Sequence, residues 1–305
     1  MSHIPVMLRE SLEIFAEQKV RTFFDGTLGA GGFAHAFLEA HPEIECYIGC
    51  DRDTHALELA KKKLVDFGQK VRVVHSNFSA LDVVLKENDL QKVDGFFFDL
   101  GVSSMQLDQE ERGFSFMREG PLDMRMDPSS PLTAREVVNR WSEKDLGALF
   151  REYGEERYWK QAAKAIVVAR KKKTIETTTE LAEIISKAIR RSRPKLHPAT
   201  LIFQALRVCV NGELQSVREG VEKAVDFLAP EGRMGVISFH RLEDRLVKNI
   251  LRSASKPLRA LIDKKNSHVL PLLRLLTKKP LVPTRQECRD NKRARSAKLR
   301  AAAKL

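Results

Sequence analysis

Short apolar runs bounded by Gly, Pro and Asp alternate with amphipathic stretches through the first hundred residues. Arg21-Thr22-Phe23-Phe24 predicts a strand, DGTLGAGG (Asp25–Gly32) a turn, and Phe33–Ala40 a helix. Glu43–Cys50 predicts a second strand. Asp51–Leu64 predicts a second helix, with Ala56, Leu59, Ala60 and Lys63 at helical spacing. Val71–His75 predicts a third strand, Val83–Leu90 a short helix or turn, and Val93–Leu100 a fourth strand. The unbroken Phe96-Phe97-Phe98 suits a strand buried on both faces, as in a parallel sheet. This alternation predicts an α/β fold with a doubly wound, Rossmann-like sheet.

The rhythm changes after Gln109. Helical patterns follow one another at Ala134–Trp141, Glu143–Tyr153, Glu155–Arg170, Thr179–Arg191 and Pro198–Val210. Asn211-Gly212 then marks a turn. Glu213–Leu228 reads as an amphipathic helix with Leu214, Val217, Val221, Ala224, Val225 and Leu228 on one face. Arg233–Phe239 reads as a further strand. The division expected is a sheet domain over residues 1–108 and 211–255, a helical domain inserted at 109–210, and a basic tail at 256–305. An insert beside the strand ends would build one wall of a cleft.

Charge sharpens this picture. The chain of 305 residues carries a formal net charge of +12. Residues 256–305 hold 15 basic and 3 acidic side chains, so residues 1–255 are neutral, with 38 of each sign. A neutral body with a basic end points to a polyanion, and nothing in that end resembles a lipid-inserting helix. No apolar run is long enough to span a membrane, and the N-terminus has neither signal-peptide nor transit-peptide character. Four cysteines make no disulfide framework and favour a cytoplasmic setting. Cys46 and Cys50, some 13 Å apart along one strand, share no metal, and no metal site is expected. The runs Arg170–Lys173 and Arg190-Arg191 read as solvated helix ends, able to join the basic end as one surface for RNA. The oligomeric state stays open.

In an open α/β sheet ligands bind beyond the carboxyl ends of the strands, where Asp25, Asp51 and Asp99 fall. Gly29-Ala30-Gly31-Gly32-Phe33-Ala34 fits the glycine pattern of a nucleotide loop, and Asp51 follows Gly31 at the spacing of a ribose-binding acid. Asp25 at the mouth of the loop would repel a pyrophosphate and favour a cation. A nicotinamide oxidoreductase is therefore disfavoured. S-adenosylmethionine, with its sulfonium, ammonium and ribose, suits these residues better.

The blocks DGTLGAGG, GCDRD (Gly49–Asp53), SNFSAL (Ser76–Leu81), DGFFFDLGVSSMQLD (Asp94–Asp108), RGFSFMREGPLDMRMD (Arg112–Asp127), YGEER (Tyr153–Arg157), FQALRVCVNGEL (Phe203–Leu214), GVISFHRLEDRLVK (Gly235–Lys248) and RARSAKLR (Arg293–Arg300) occur in that order. Together they closely resemble the bacterial 16S ribosomal RNA cytosine-N4 methyltransferase family, from about His3 to Arg300. The resemblance implies S-adenosylmethionine-dependent methylation of N4 of a cytosine in the decoding region of the small ribosomal subunit. It also implies donor contacts at Gly31, Gly32 and the backbone of Phe33, at Asp51 for the ribose, at Phe78 beside the adenine, and at Asp99 and Gln106. Asp99 and the backbone carbonyls of Leu100–Ser104 fall where acceptors for the target amine are needed. No catalytic base is assigned. His197, His240 and Glu243 are further polar groups that could face a cleft.

The chain departs from the family pattern at Phe33-Ala34 (usually His-Ser), Leu201-Ile202 (Arg-Thr), Arg241 (Ser) and Lys292 (Pro). Loss of an arginine at 201 touches an RNA or base contact and leaves the donor site alone. Two other readings compete. A DNA amino-methyltransferase usually carries a Pro-Pro-aromatic run after the strand-end acid, where this chain has Leu100-Gly101-Val102. A non-catalytic ribosome-assembly factor would keep the fold and tolerate Phe33 and Leu201.

Overall fold

A computed structural model describes residues 5–189, 196–257 and 270–305. The chain divides into two compact units: Met1–Gly101 with Leu214–Leu305, and Val102–Glu213. These boundaries fall at 101/102 and 213/214, where 108/109 and 210/211 were expected.

The first unit holds a seven-stranded sheet. Its strands are β1 (Thr22–Asp25), β2 (Cys46–Asp51), β3 (Val71–His75), β4 (Val93–Asp99), β5 (Leu228–Ser238), β6 (Leu273–Leu275) and β7 (Lys298–Lys304), in the order β3-β2-β1-β4-β5-β7-β6. The first five are parallel, and β7 runs antiparallel to both β5 and β6. The Phe run of β4 works as its pattern predicts. Phe97 enters one core cluster with Phe23, Phe33, Phe37 and Tyr47, while Phe96 and Phe98 enter the other with Phe24, Phe78 and Met234. Side-chain alternation along a strand produces this division. Asp53 caps the helix Thr54–Lys63 by accepting from the His55 N–H at 3.1 Å, so that helix starts after Asp51 rather than at it.

The second unit is helical: Ala134–Arg140, Glu143–Glu152, Trp159–Arg170, Thr178–Ala188 and Thr200–Asn211 surround one apolar cluster that includes Val137, Phe150, Ile166, Leu181 and Leu206. The segment Arg112–Asp127 is tied to the last of these helices through Asn211. Its Oδ1 accepts from the Met126 N–H at 2.7 Å, and its Nδ2 donates to the Met124 carbonyl at 2.8 Å. Arg170 donates to the carbonyls of Val138 and Trp141, and Lys173 pairs with Glu180, so only part of the Arg170–Lys173 run stands as solvated charge. Arg190-Arg191 lies outside the described residues. Among the described residues no helix is long and apolar enough to cross a membrane.

The C-terminal end departs most from expectation. Rather than a tail, it supplies β6, the helix Arg285–Asp290 and β7, which pairs with β5 from Ser238↔Lys298 to Arg233↔Ala303. Lys298–Lys304 reads KLRAAAK, a run of strong helix formers. The strand forms because its slot is filled on both faces: Leu299 and Ala301 pack in one cluster and Ala302 in the other. Deleting residues 298–305 is therefore expected to abolish cooperative unfolding of the sheet unit, where loss of a mere tail would leave it intact. Circular dichroism melts of the two proteins check this.

Candidate functional site

Register sets the heights of the strand-end acids. Asp25 pairs with Gly49 and with Phe97, so Asp51 and Asp99 each extend two residues, about 6.6 Å, beyond it. Asp25 consequently lies beneath the glycine loop rather than at its mouth, and only 1 % of it is exposed. Its Oδ1 accepts from the Thr27 N–H at 3.0 Å and its Oδ2 from the Tyr47 hydroxyl at 2.8 Å. Burial pushes its carboxyl up to about 7, against the opposing pull of those two donors. Asp25 shapes the loop from beneath, and its expected place at the mouth of the loop is corrected.

The loop itself turns on glycine. Gly31 has φ +76° and caps the helix Gly32–Ala40, a conformation that favours a residue without a side chain. The turn delivers the Gly29 N–H to Asp51 Oδ2 at 2.8 Å, while Asp51 Oδ1 accepts from the Asp53 N–H at 2.9 Å. The Arg52 N–H acts on the same carboxylate, which with three backbone donors keeps acceptor capacity for a ribose hydroxyl. Burial raises its carboxyl above the ordinary range.

Asp99 completes the row. Its N–H donates to Thr27 Oγ1 at 2.6 Å, joining the ends of β1 and β4. Its buried Oδ1 has no hydrogen-bond partner among the described residues. Burial, reinforced by the carboxylates of Asp25 and Glu243, pushes Asp99 up to about 8. Glu243 is fixed by a capping box at the start of the helix Arg241–Ala254, where its Oε2 accepts from the N–H groups of Phe239 and His240. His240 and Glu243 are thus helix-capping groups beside the site. Thr27 and Tyr47 were not singled out by sequence. Thr27 stands inside DGTLGAGG, but nothing local marks Tyr47.

The remaining predicted residues are placed as follows. Gly31, Gly32, Asp51 and Asp99 come together in the sheet unit. The Phe33 side chain is buried, stacked on Phe97 with centroids 3.9 Å apart, which leaves only its backbone to the loop. The ring of Phe78 packs against Phe98 and the bare Cα of Gly220 and is 9 % exposed, so it is chiefly a core residue. Gln106 belongs to the helical unit. Its Oε1 accepts from the Ser103 N–H at 3.0 Å in a capping box. His197, in the same unit, is exposed and stacks on Phe116 at 4.6 Å.

An orphaned buried carboxylate oxygen in a row of three crowded acids calls for a ligand that carries positive charge and N–H or O–H donors. S-adenosylmethionine has a sulfonium, an ammonium and ribose hydroxyls, and these residues fit it.

Residues 1–305 match the MraW methylase family. The chain belongs to that methylase family. Among similar curated proteins, the ribosomal RNA small subunit methyltransferase H of Protochlamydia amoebophila is 50 % identical over 313 residues, covering 99 % of this chain and 97 % of that protein. The protein of the same name from Carboxydothermus hydrogenoformans is 47 % identical, covering 100 % and 98 %. That from Chlamydia felis is 49 % identical, covering 98 % and 96 %.

The methylase acids hold protons more tightly when folded than when unfolded. The folded state therefore binds more protons between about pH 4 and pH 8, and stability falls as pH rises through that window. The protein without donor is expected to show a melting temperature that declines across the window, and Asp99→Asn should flatten the decline. Melting series of both proteins test this; parallel curves would remove Asp99 as the cause.

Proposed function

We propose that this methylase transfers a methyl group from S-adenosylmethionine to N4 of a cytosine in the decoding region of 16S rRNA within the small ribosomal subunit. The observation that carries the reading is full-length identity of 50 % with a protein named as a small-subunit rRNA methyltransferase. The acid row and glycine loop support the donor half of it independently. The setting is the cytoplasm, in keeping with four free cysteines.

The donor supplies an electrophilic methyl group on a cationic sulfur. With donor bound, Asp51 would accept from the ribose hydroxyls, the loop from Gly29 to Gly32 would let the backbone approach closely, and the small exposed edge of Phe78 would offer an apolar face to the adenine. The backbone of Phe33 would complete the contacts that the sheet unit offers the donor. Asp99 offers its free Oδ1 to an N–H donor, on the methyl donor or on the target amine. The exocyclic amine of cytosine is a poor nucleophile, its lone pair being delocalised into the ring. Acceleration then comes mainly from holding that amine in line with the methyl group. The base must leave its stack to reach the strand ends. A structured RNA is read largely through shape and phosphate geometry, so an assembled or nearly assembled subunit is the substrate.

The deciding assay offers radiolabelled S-adenosylmethionine and small subunits from cells lacking the protein, followed by nucleoside analysis. Label in N4-methylcytidine is expected; donor binding without label would favour an assembly factor. Asp51→Ala should weaken donor binding at least tenfold by calorimetry, since it removes the hydroxyl acceptor and unties Gly29. Asp99→Ala should slow transfer at saturating donor, and unchanged turnover would take Asp99 out of the chemistry.

A further inference from the structure

The surplus positive charge has a defined place in the fold. Elsewhere cations are commonly answered by carboxylates, as Arg135 is by Glu176 and Lys223 by Asp82. In the C-terminal segment Lys298 and Arg300 share Asp244. The acids Glu287 and Asp290 are taken up by the Met7 N–H and by Gln286. The side chains of Lys278, Lys279, Lys292 and Arg295 are exposed and have no hydrogen bond or ion pair among the described residues.

Sheet register locates these four. Asp99 pairs with Ile237, Ile237 with Leu299, and Leu299 with Leu281. Three inter-strand spacings put Leu281 about 14 Å from Asp99 along that row. The N–H of Thr277 donates to the Ala301 carbonyl and that of Leu281 to the Leu299 carbonyl. Four steps of the edge chain therefore pass two steps of β7, and Lys278, Lys279 and Pro280 loop out. Lys292 and Arg295 precede Lys298, which pairs with Ser238 at the end of β5. All four lie within about 25 Å of Asp99, beside the end of the sheet that carries the donor acids.

We propose that Lys278, Lys279, Lys292 and Arg295 grip the phosphate backbone of the rRNA strand that delivers its cytosine to the donor site. The inference rests on the rRNA-methylation reading and adds to it the surface by which the sheet unit holds the RNA. Unanswered like charges repel one another across this edge, and a phosphate backbone relieves that repulsion while releasing its own counterions.

The test replaces the four residues together with Gln and measures binding of small subunits by filter assay over a salt series. Affinity is expected to fall at least tenfold, and the slope of log affinity against log salt to become shallower by roughly 2 to 4. Affinity for S-adenosylmethionine is expected to stay as in the wild type. Lys61, Lys62 and Lys63, exposed at the end of the helix Thr54–Lys63, provide a control that removes three charges elsewhere on the sheet unit. Their replacement by Gln should leave subunit affinity within about twofold, because only specific phosphate contacts enter the slope. An unchanged slope in the fourfold variant, or an equal loss in the control, overturns the proposal. Should the fourfold variant lose donor binding through misfolding, the Lys278/Lys279 and Lys292/Arg295 pairs are replaced separately, each expected to remove part of the slope. If the wild-type protein binds subunits without methylating them, the reaction assigned above fails while the salt slopes still decide this surface.

Discussion

Burial of β4 on both faces is the constraint from which the site follows. Phe97 turns into one aromatic cluster, and Phe96 and Phe98 turn into the other. A slip of one residue would exchange the faces and drive each ring into a space shaped for its neighbour. The strand is thereby locked in register between β1 and β5. Asp99, its last residue, is held at the crest of the sheet with one buried carboxylate oxygen that has no partner among the described residues. The raised proton affinity of Asp99 is the cost of that lock, and a cationic ligand would offset it.

The glycine loop depends on the same register. Because Asp25 sits two residues below Asp51 and Asp99, its carboxylate organises the turn from beneath while the other two acids stay at ligand height. Thr27 links the two levels: its N–H binds Asp25, and its hydroxyl accepts from the N–H of Asp99. A change in any one of the three acids thus alters the electrostatics of the others. The departure at Phe33 is absorbed without touching this arrangement, since the ring joins Phe97 in the core and the loop uses only backbone there.

The C-terminal segment joins completion of the sheet to a surface of positive charge. Its apolar and small residues complete the sheet as β7, while its exposed cations line the adjoining edge. One stretch of chain therefore closes the hydrophobic core and presents positive charge beside the donor acids. This arrangement fixes the cations relative to the chemistry, which a loose tail would not do.

Much of this was legible in the residues alone. Periodicity identified the first four strands, the helices between them and the helical insert, because each has a local pattern matching its environment. The glycine loop with Asp51 and Asp99 was legible because strand ends and turn residues announce themselves in order. The level of Asp25 was not, since it depends on register with Gly49 and Phe97 far along the chain. Tyr47 as a donor to Asp25 was hidden for the same reason. The clearest limit is KLRAAAK at 298–304, whose intrinsic preference is helical and whose actual state is a strand between β5 and β6. Local preference amounts to a few tenths of a kcal/mol per residue, whereas an open sheet edge between two apolar clusters offers backbone pairing and burial together. Sequence determined which residues are the candidates for the donor site; only the tertiary structure decided which of them share a level, and where the exposed cations of the C-terminal segment lie.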